Sequence, residues 1–249
     1  MLRIDAVTKR YGRFTAVHDL SLHIAPGRIM GFLGPNGAGK TSTMKMIAGL
    51  ARPNAGRITV DGIDVAVDPL GAKARLGYVP DRPNLPGRLT AREYLELVAG
   101  LYRMRAEEAD GRGRELLLLF GLGTKADDLI ESFSHGMKQR LVMASVLLHR
   151  PRLLVVDEPM VGLDPRGARL LKDVLRAEAA RGLTVFLSTH TLEVADEVCD
   201  EVAVIDHGRL VALGTPADLR ARTGNEGHTL EEVFLKLTAE GEDSLGISE

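Results

Sequence analysis

The amino-acid sequence predicts an α/β fold built around a predominantly parallel sheet. Three observations carry that expectation. The runs Ile29-Met30-Gly31-Phe32-Leu33 and Leu153-Leu154-Val155-Val156 have the length and apolar content of strands buried on both faces. Segments with helical spacing of apolar residues separate such runs, as a crossover-connected parallel sheet requires. A glycine-rich break, Gly34 to Gly39, lies between a buried strand and the start of a helix.

Taken in order, Leu2, Ile4 and Ala6 alternate with polar residues, as do Leu20, Leu22 and Ile24, so both segments read as half-buried strands. Pro26-Gly27 turns the chain into the buried run at 29–33, and beyond the glycine-rich break Met44, Ile47 and Ala48 mark a helix over 41–50. Ile58 and Val60 suggest a strand ended by Asp61-Gly62. Thr90 and Glu93 form a capping-box pattern ahead of Tyr94, Leu97, Val98, Leu101 and Tyr102, expected to be one apolar helix face. A second helix runs through 116–120 and stops near Gly121. A third begins near Ser134, carries Met137, Leu141, Ala144 and Leu148, and ends before Pro151. Residues 85–150 are therefore expected to be a helical subdomain inserted between 1–84 and 151–220. There the alternation returns, with a strand at 153–156, a helix at 170–180 closed by Gly182, a strand at 184–187 and a helix at 192–199. Segments 202–205 and 209–213 pair around His207-Gly208. Thr229 with Glu232, followed by Val233, Phe234 and Leu237, marks a last helix before an acidic tail, which sets 221–249 apart.

At 249 residues the chain is one large domain or one with an insertion, long enough to bury roughly 70–75% of its unfolded surface. With 45% hydrophobic and 27% charged residues the balance is that of a globular protein, which excludes wholesale disorder. A net charge of -2 gives no global pull toward nucleic acid, and no nucleic-acid partner is expected. The single cysteine, Cys199, excludes an internal disulfide framework and reads as a small buried hydrophobe. The longest apolar candidate, 141–148, falls far short of the ~18 residues of a membrane span. The first residues carry a charge every few positions and no apolar stretch, so no secretory leader is expected and the cytoplasm is the expected compartment.

The chemistry concentrates at three places. Gly34-Pro35-Asn36-Gly37-Ala38-Gly39-Lys40-Thr41, with Ser42 following, fits the GxxxxGK[ST] phosphate-loop pattern. Glycines at these positions let backbone N–H groups converge on phosphate oxygens, and the next helix presents its positive end to the same anion. Lys40 would bridge β- and γ-phosphates, and the Thr41 hydroxyl would ligate Mg²⁺. The second place is Asp157-Glu158, leaving a buried strand, where Asp157 would hold Mg²⁺ and Glu158 would act as general base on water. Absence of an Asn-Lys-x-Asp guanine-reading motif weakens a GTPase reading, while a small-molecule kinase stays open on these two elements alone.

The third place is Ser134-His135-Gly136-Met137-Lys138-Gln139, where the sequence resembles the ATP-binding cassette (ABC) family. Phe133 to Met137 stands where that family has Leu-Ser-Gly-Gly-Gln, keeping the serine and the second glycine. The resemblance extends over nearly the whole chain. It implies a P-loop NTPase core of RecA type with an N-terminal antiparallel β subdomain and the inserted helices. It assigns Tyr11 to adenine stacking, Asp164 of Val161-Gly162-Leu163-Asp164 to the dimer-interface loop, and His190 after Ser188-Thr189 to γ-phosphate contact. Ser134, Gly136 and Met137 would meet a nucleotide held by another copy. Asp81 stands where most of the family has glutamine; being shorter and charged, it either binds the cation through water or contributes nothing directly.

What the resemblance implies is an ATPase that forms a head-to-tail dimer around two ATP and powers a separate transmembrane permease from the inner face of the membrane. The run at 134–141 and the segment at 230–238 resemble bacterial exporters of drugs, antibiotics, lipids or ions. The alternative is a soluble ABC ATPase acting on ribosomes, DNA or cofactor assembly.

Overall fold

The computed structural model describes residues 1–82, 84–190 and 192–222; the helix and tail expected after 222 lie outside them. Two sheets share the molecule. Strands β1 (Leu2–Tyr11), β2 (Phe14–Ile24), β4 (Ala55–Val60) and β5 (Ile63–Asp64) form an antiparallel sheet in the order β2-β1-β4-β5. Strands β3 (Ile29–Leu33), β6 (Leu76–Val79), β7 (Leu153–Asp157), β8 (Thr184–Thr189), β9 (Glu201–Asp206) and β10 (Arg209–Gly214) form the second, in the order β10-β9-β3-β8-β7-β6. All its pairs are parallel except β9 with β10, the hairpin turned by His207 and Gly208, both at positive φ.

Alternation along the parallel strands divides the core in two. Met30, Phe32, Val155, Phe186, Ala203 and Ile205 face the antiparallel sheet and the helix α1 (Lys40–Ile47), and Phe32 meets Phe186 with ring centroids 5.0 Å apart. Ile29, Leu33, Leu154, Val156, Val185 and Leu187 point the other way. There they join helices α3 (Ala91–Leu101), α4 (Ala106–Leu119), α5 (His135–Leu148), α6 (Pro165–Ala180) and α7 (Leu192–Val198). Gly31 leaves room for this layer, because a Cβ there would lie 2.9 Å from the buried Cys199 sulfur. Helices α2 (Pro69–Ala74) and α8 (Pro216–Arg222), with short 3-10 turns at Gly123–Lys125 and Ile130–Ser132, complete the described elements.

Several expectations change. Ala6 does not continue the inward alternation of Leu2 and Ile4: it is exposed at φ 48, the register with β2 shifts between Ile4 and Val7, and Val7 takes the inward place. The α3 capping box forms, with Thr90 and Glu93 each bonding the other's backbone, but the buried face is Ala91, Leu95 and Ala99. Leu97 and Leu101, placed by spacing on the apolar face, are exposed, at 49% and 74%. Helix α6 starts earlier than the apolar spacing indicates, at Pro165, because Pro at the first position and Asp164 as cap set its start.

Candidate active site

The site forms at the C-terminal edge of the parallel sheet, where β3, β7 and β8 deliver three loops to one place. The first is the glycine-rich turn. It departs from β3 at Gly34, whose missing Cβ would lie 2.3 Å from the Ile205 carbonyl oxygen. It returns into α1 through Gly39 at φ 104, where a Cβ would stand 2.4 Å from the Ala16 carbonyl oxygen. Inside the turn Ala38 N–H donates to Pro35 O (3.2 Å), and from outside Gly208 N–H donates to Ala38 O (3.0 Å). Helix α1 has no side-chain cap and no acidic residue in its first turn, so its leading N–H groups and positive end are left for an anion.

Lys40, 7% exposed, folds back over this turn and donates to Gly34 O (2.6 Å) and Pro35 O (3.1 Å). Burial pulls its ammonium below the usual lysine range, and the carboxylates of Glu158 and Asp157 pull it back up. Thr41 Oγ1 lies 3.1 Å from Asp157 Oδ2 across the gap between α1 and β7.

The second and third loops leave β7 and β8, whose register places Asp157 beside Ser188. Asp157 is 2% exposed, and its Oδ1 accepts the Ser188 hydroxyl proton at 2.5 Å. The same hydroxyl accepts Glu158 N–H at 3.0 Å. Glu158 sits at φ 49, a left-handed conformation uncommon outside glycine, which turns the chain sharply after the strand. Its Oε2 lies 2.9 Å from His190 Nδ1. A carboxylate aligned by an imidazole and a neighbouring carboxylate held by two hydroxyls is an arrangement that can take a proton from water beside a bound cation.

Lys40, Thr41, Asp157 and Glu158 line a cleft of ≈ 350 Å³ that also includes Tyr11, Phe14, Asn36, Gly37, Ser42 and Asp81; Ser188 and His190 act on it through their bonds to Asp157 and Glu158. A broader lobe of ≈ 840 Å³ adjoins it past Phe14 and Pro35 to the β9–β10 turn. Tyr11 is 48% exposed, and Lys9 Nζ stands 4.9 Å from its ring centroid. Asp81 reaches the rim of the cleft, and its charge contributes, after burial and Asp157, to pushing the Tyr78 phenol up to about 12.

Ser134, Gly136 and Met137 lie elsewhere. Ser134 caps α5, accepting Met137 N–H at 3.3 Å, and none of the three lines the cleft. Their turn packs instead on the loop after Glu158: a Cβ on Gly162 would meet His135 at 2.6 Å, and one on Gly136 would meet Leu163 at 3.4 Å. Asp164 also stays out of the cleft; it caps α6 by accepting Gly167 N–H at 2.8 Å. Two contributors carried no sequence assignment. Ser188 is recognisable only once β7 and β8 are in register, and Phe14 only once it pairs with Tyr11 across the β1–β2 hairpin.

The residues fit a nucleotide with a divalent cation. Asp157 and Thr41 offer hard oxygen donors at the edge of an anion-binding turn. Among the described residues no three His, Cys, Asp or Glu side chains form a closed metal cluster. No helix among them is long and apolar enough to cross a membrane.

A family profile described as ABC transporter matches residues 17–161. The chain is 37% identical over 241 residues to the linearmycin resistance ATP-binding protein LnrL of Bacillus subtilis, covering 97% of this chain and 76% of that one. It is 41% identical over 220 residues to the Nod factor export ATP-binding protein I of Paraburkholderia xenovorans, covering 88% and 72%. Its fold matches a structure described as the ATP-binding subunit of an ABC transporter with a TM-score of 0.90 and 33% identity, covering 96% and 99%. A dimeric ATP-binding cassette in a post-hydrolysis state, bound to ADP and Pi, matches with a TM-score of 0.79 and 26% identity, covering 86% and 98%.

Proposed function

Because this chain belongs to the ABC transporter family, we propose that it is the ATP-hydrolysing subunit of an exporter, dimerising around two ATP to drive a separate membrane permease. The observation that carries the catalytic assignment is the convergence of Thr41, Asp157, Ser188, Glu158 and His190 at the mouth of the glycine-rich turn. The N–H groups of that turn and of α1 receive the phosphates, and Lys40 exchanges its carbonyl partners for β- and γ-phosphate oxygens. Bound Mg²⁺ would supply neutralisation of phosphate charge. Thr41 and Asp157 are the residues that would hold it, and Asp81 lines the same cleft.

Glu158 then takes a proton from the attacking water as its oxygen bonds to the γ-phosphorus and the bond to the β-phosphate oxygen breaks, leaving ADP and phosphate. His190 holds the Glu158 carboxylate in line. Tyr11 offers an exposed ring face to the base. Ser134, Gly136 and Met137 lie outside this chain's own cleft, which suits an assignment to the nucleotide of a second copy, with Asp164 at the interface. The helical stretch 85–150 and the strand-rich remainder are the two parts whose relative position would couple nucleotide to permease.

Relatives named for linearmycin resistance, daunorubicin resistance and Nod factor export support an exported cargo. The soluble alternative has no such support. The deciding experiment is a pull-down of tagged Glu158→Gln with ATP from detergent-solubilised host membranes. A stoichiometric polytopic membrane protein is the expected partner; recovery of ribosomal or only soluble proteins would overturn the transporter reading.

A further inference from the structure

A second cavity lies at the opposite edge of the parallel sheet, where Arg152 precedes β7 and Leu183 precedes β8. A strand the length of β7 puts it roughly 16 Å from the catalytic edge. Its volume is ≈ 590 Å³, within the range of small-ligand clefts. Four arginines line it, Arg112, Arg150, Arg152 and Arg181, against two carboxylates, Glu115 and Glu178.

The carboxylates are already taken. Glu115 pairs with Arg112 at 2.8 Å and Glu178 with Arg181 at 2.7 Å. Arg150 and Arg152 have no ion pair among the described residues. Among the described residues, Arg112 adds a buried Nε without an acceptor. Among those same residues the cavity therefore carries two guanidinium charges without an ion-pair partner, and a third guanidinium with a donor to spare. Guanidinium forks match phosphate oxygens in pairs, and a net positive cavity disfavours a metal ion.

The backbone fixes where these forks start. Arg152 N–H donates to Arg75 O (2.8 Å), and Arg152 O accepts Thr184 N–H (3.0 Å), so its Cα is held between two strands. Leu147 and Leu183 give the cavity an apolar floor. We propose that this cavity is a binding site for a small phosphorylated anion, separate from the catalytic cleft. The arginines come from α4, from the α5–β7 turn and from the α6–β8 turn, so a bound phosphate would tie the helical insertion to the parallel sheet.

The test uses inorganic pyrophosphate without Mg²⁺, at ionic strength matched with sodium chloride, and reads the thermal midpoint. Three proteins are compared: Lys40→Ala, which disables the phosphate-binding turn; Arg150→Glu/Arg152→Glu; and the triple variant. The expected result is a saturable rise in Lys40→Ala, roughly 5–10 °C at a hundredfold excess over Kd, and no rise in the triple variant. No saturable rise in Lys40→Ala, or an equal rise in the triple variant, would overturn the proposal. Arg150 and Arg152 are exposed, so Arg150→Glu/Arg152→Glu is expected to fold and keep its ATPase rate within about twofold. Failure of the proposed ATPase function would leave the pyrophosphate result standing, because that readout requires no turnover.

Discussion

Ser188 Oγ stands 2.5 Å from Asp157 Oδ1 and donates to it, while accepting the backbone N–H of Glu158 at 3.0 Å. One hydroxyl thus fixes both the carboxylate assigned to the cation and the start of the residue assigned as base. Ser188→Ala removes the donor that orients Asp157 and leaves Glu158 N–H without its acceptor. We expect the Mg²⁺ concentration for half-maximal ATPase activity to rise about 10–100-fold, as for other partners of metal-binding residues. A stability loss of about 1–3 kcal/mol accompanies an unpaired buried donor. A Mg²⁺ titration of ATPase rate checks this; an unchanged half-saturation point would separate Ser188 from the cation.

Glu158 is held by His190 Nδ1 at 2.9 Å and turned toward it by its own φ of 49. Glu158→Gln keeps shape but cannot accept the proton, so hydrolysis should fall by about 10²–10⁴ while ATP still binds. With ATP bound and not cleaved, the variant should elute as a dimer in size-exclusion chromatography. His190→Ala should also lower the rate, because the carboxylate loses its aligning partner. Normal turnover by Glu158→Gln would remove Glu158 as base.

Much of this site was legible because its parts are short-range patterns. The turn between β3 and α1 and the acidic pair ending β7 are contiguous in sequence, and a buried strand before each is readable from composition. Ser188 was hidden because its role depends on a parallel register with Asp157, which no local pattern encodes. Ala6 and Leu97 misled for related reasons. A bulge at Ala6 shifts the two-residue period, and the face of α3 that is buried depends on where α4 and α5 pack. Asp164 is a plain helix cap as well as a candidate interface residue, and spacing cannot distinguish the two roles.

The glycine-rich turn is fixed by close approach as much as by backbone freedom. Gly39 combines φ 104 with a would-be Cβ 2.4 Å from the Ala16 carbonyl oxygen, a backbone atom on β2 that cannot rotate away. Gly39→Ala should therefore displace the turn from β2, costing about 2 kcal/mol or more of stability and weakening ATP binding together. Gly100→Ala is the control, since Gly100 lies in α3 with nothing within 4 Å of a Cβ. It should be neutral or stabilising by up to about 1 kcal/mol. Urea denaturation and ATP titration of the pair check this; equal effects from both would remove the close approach as the cause.

His149 links three elements away from the catalytic edge. It ends α5, its ring stacks on Tyr102 with centroids 3.7 Å apart and planes 11° apart, and its Nε2 lies 3.3 Å from Leu76 O at the start of β6. Burial pushes its pKa down to about 4, outweighing the bond to Leu76, so the folded protein holds the imidazole neutral where an unfolded chain binds a proton near pH 6.5. The unfolded state thus gains protons first on acidification. Stability from this group is complete above about pH 6.5, falls between pH 6.5 and about 4, and then levels off. Partial exposure of the ring limits the loss to about 2 kcal/mol. His149→Phe keeps the stack but cannot titrate, and losing the bond to Leu76 O costs it about 1 kcal/mol at pH 7.5. Urea midpoints of the two proteins should converge and then cross as pH falls from 7 to 4.5, whereas parallel curves would place the acid sensitivity on other groups.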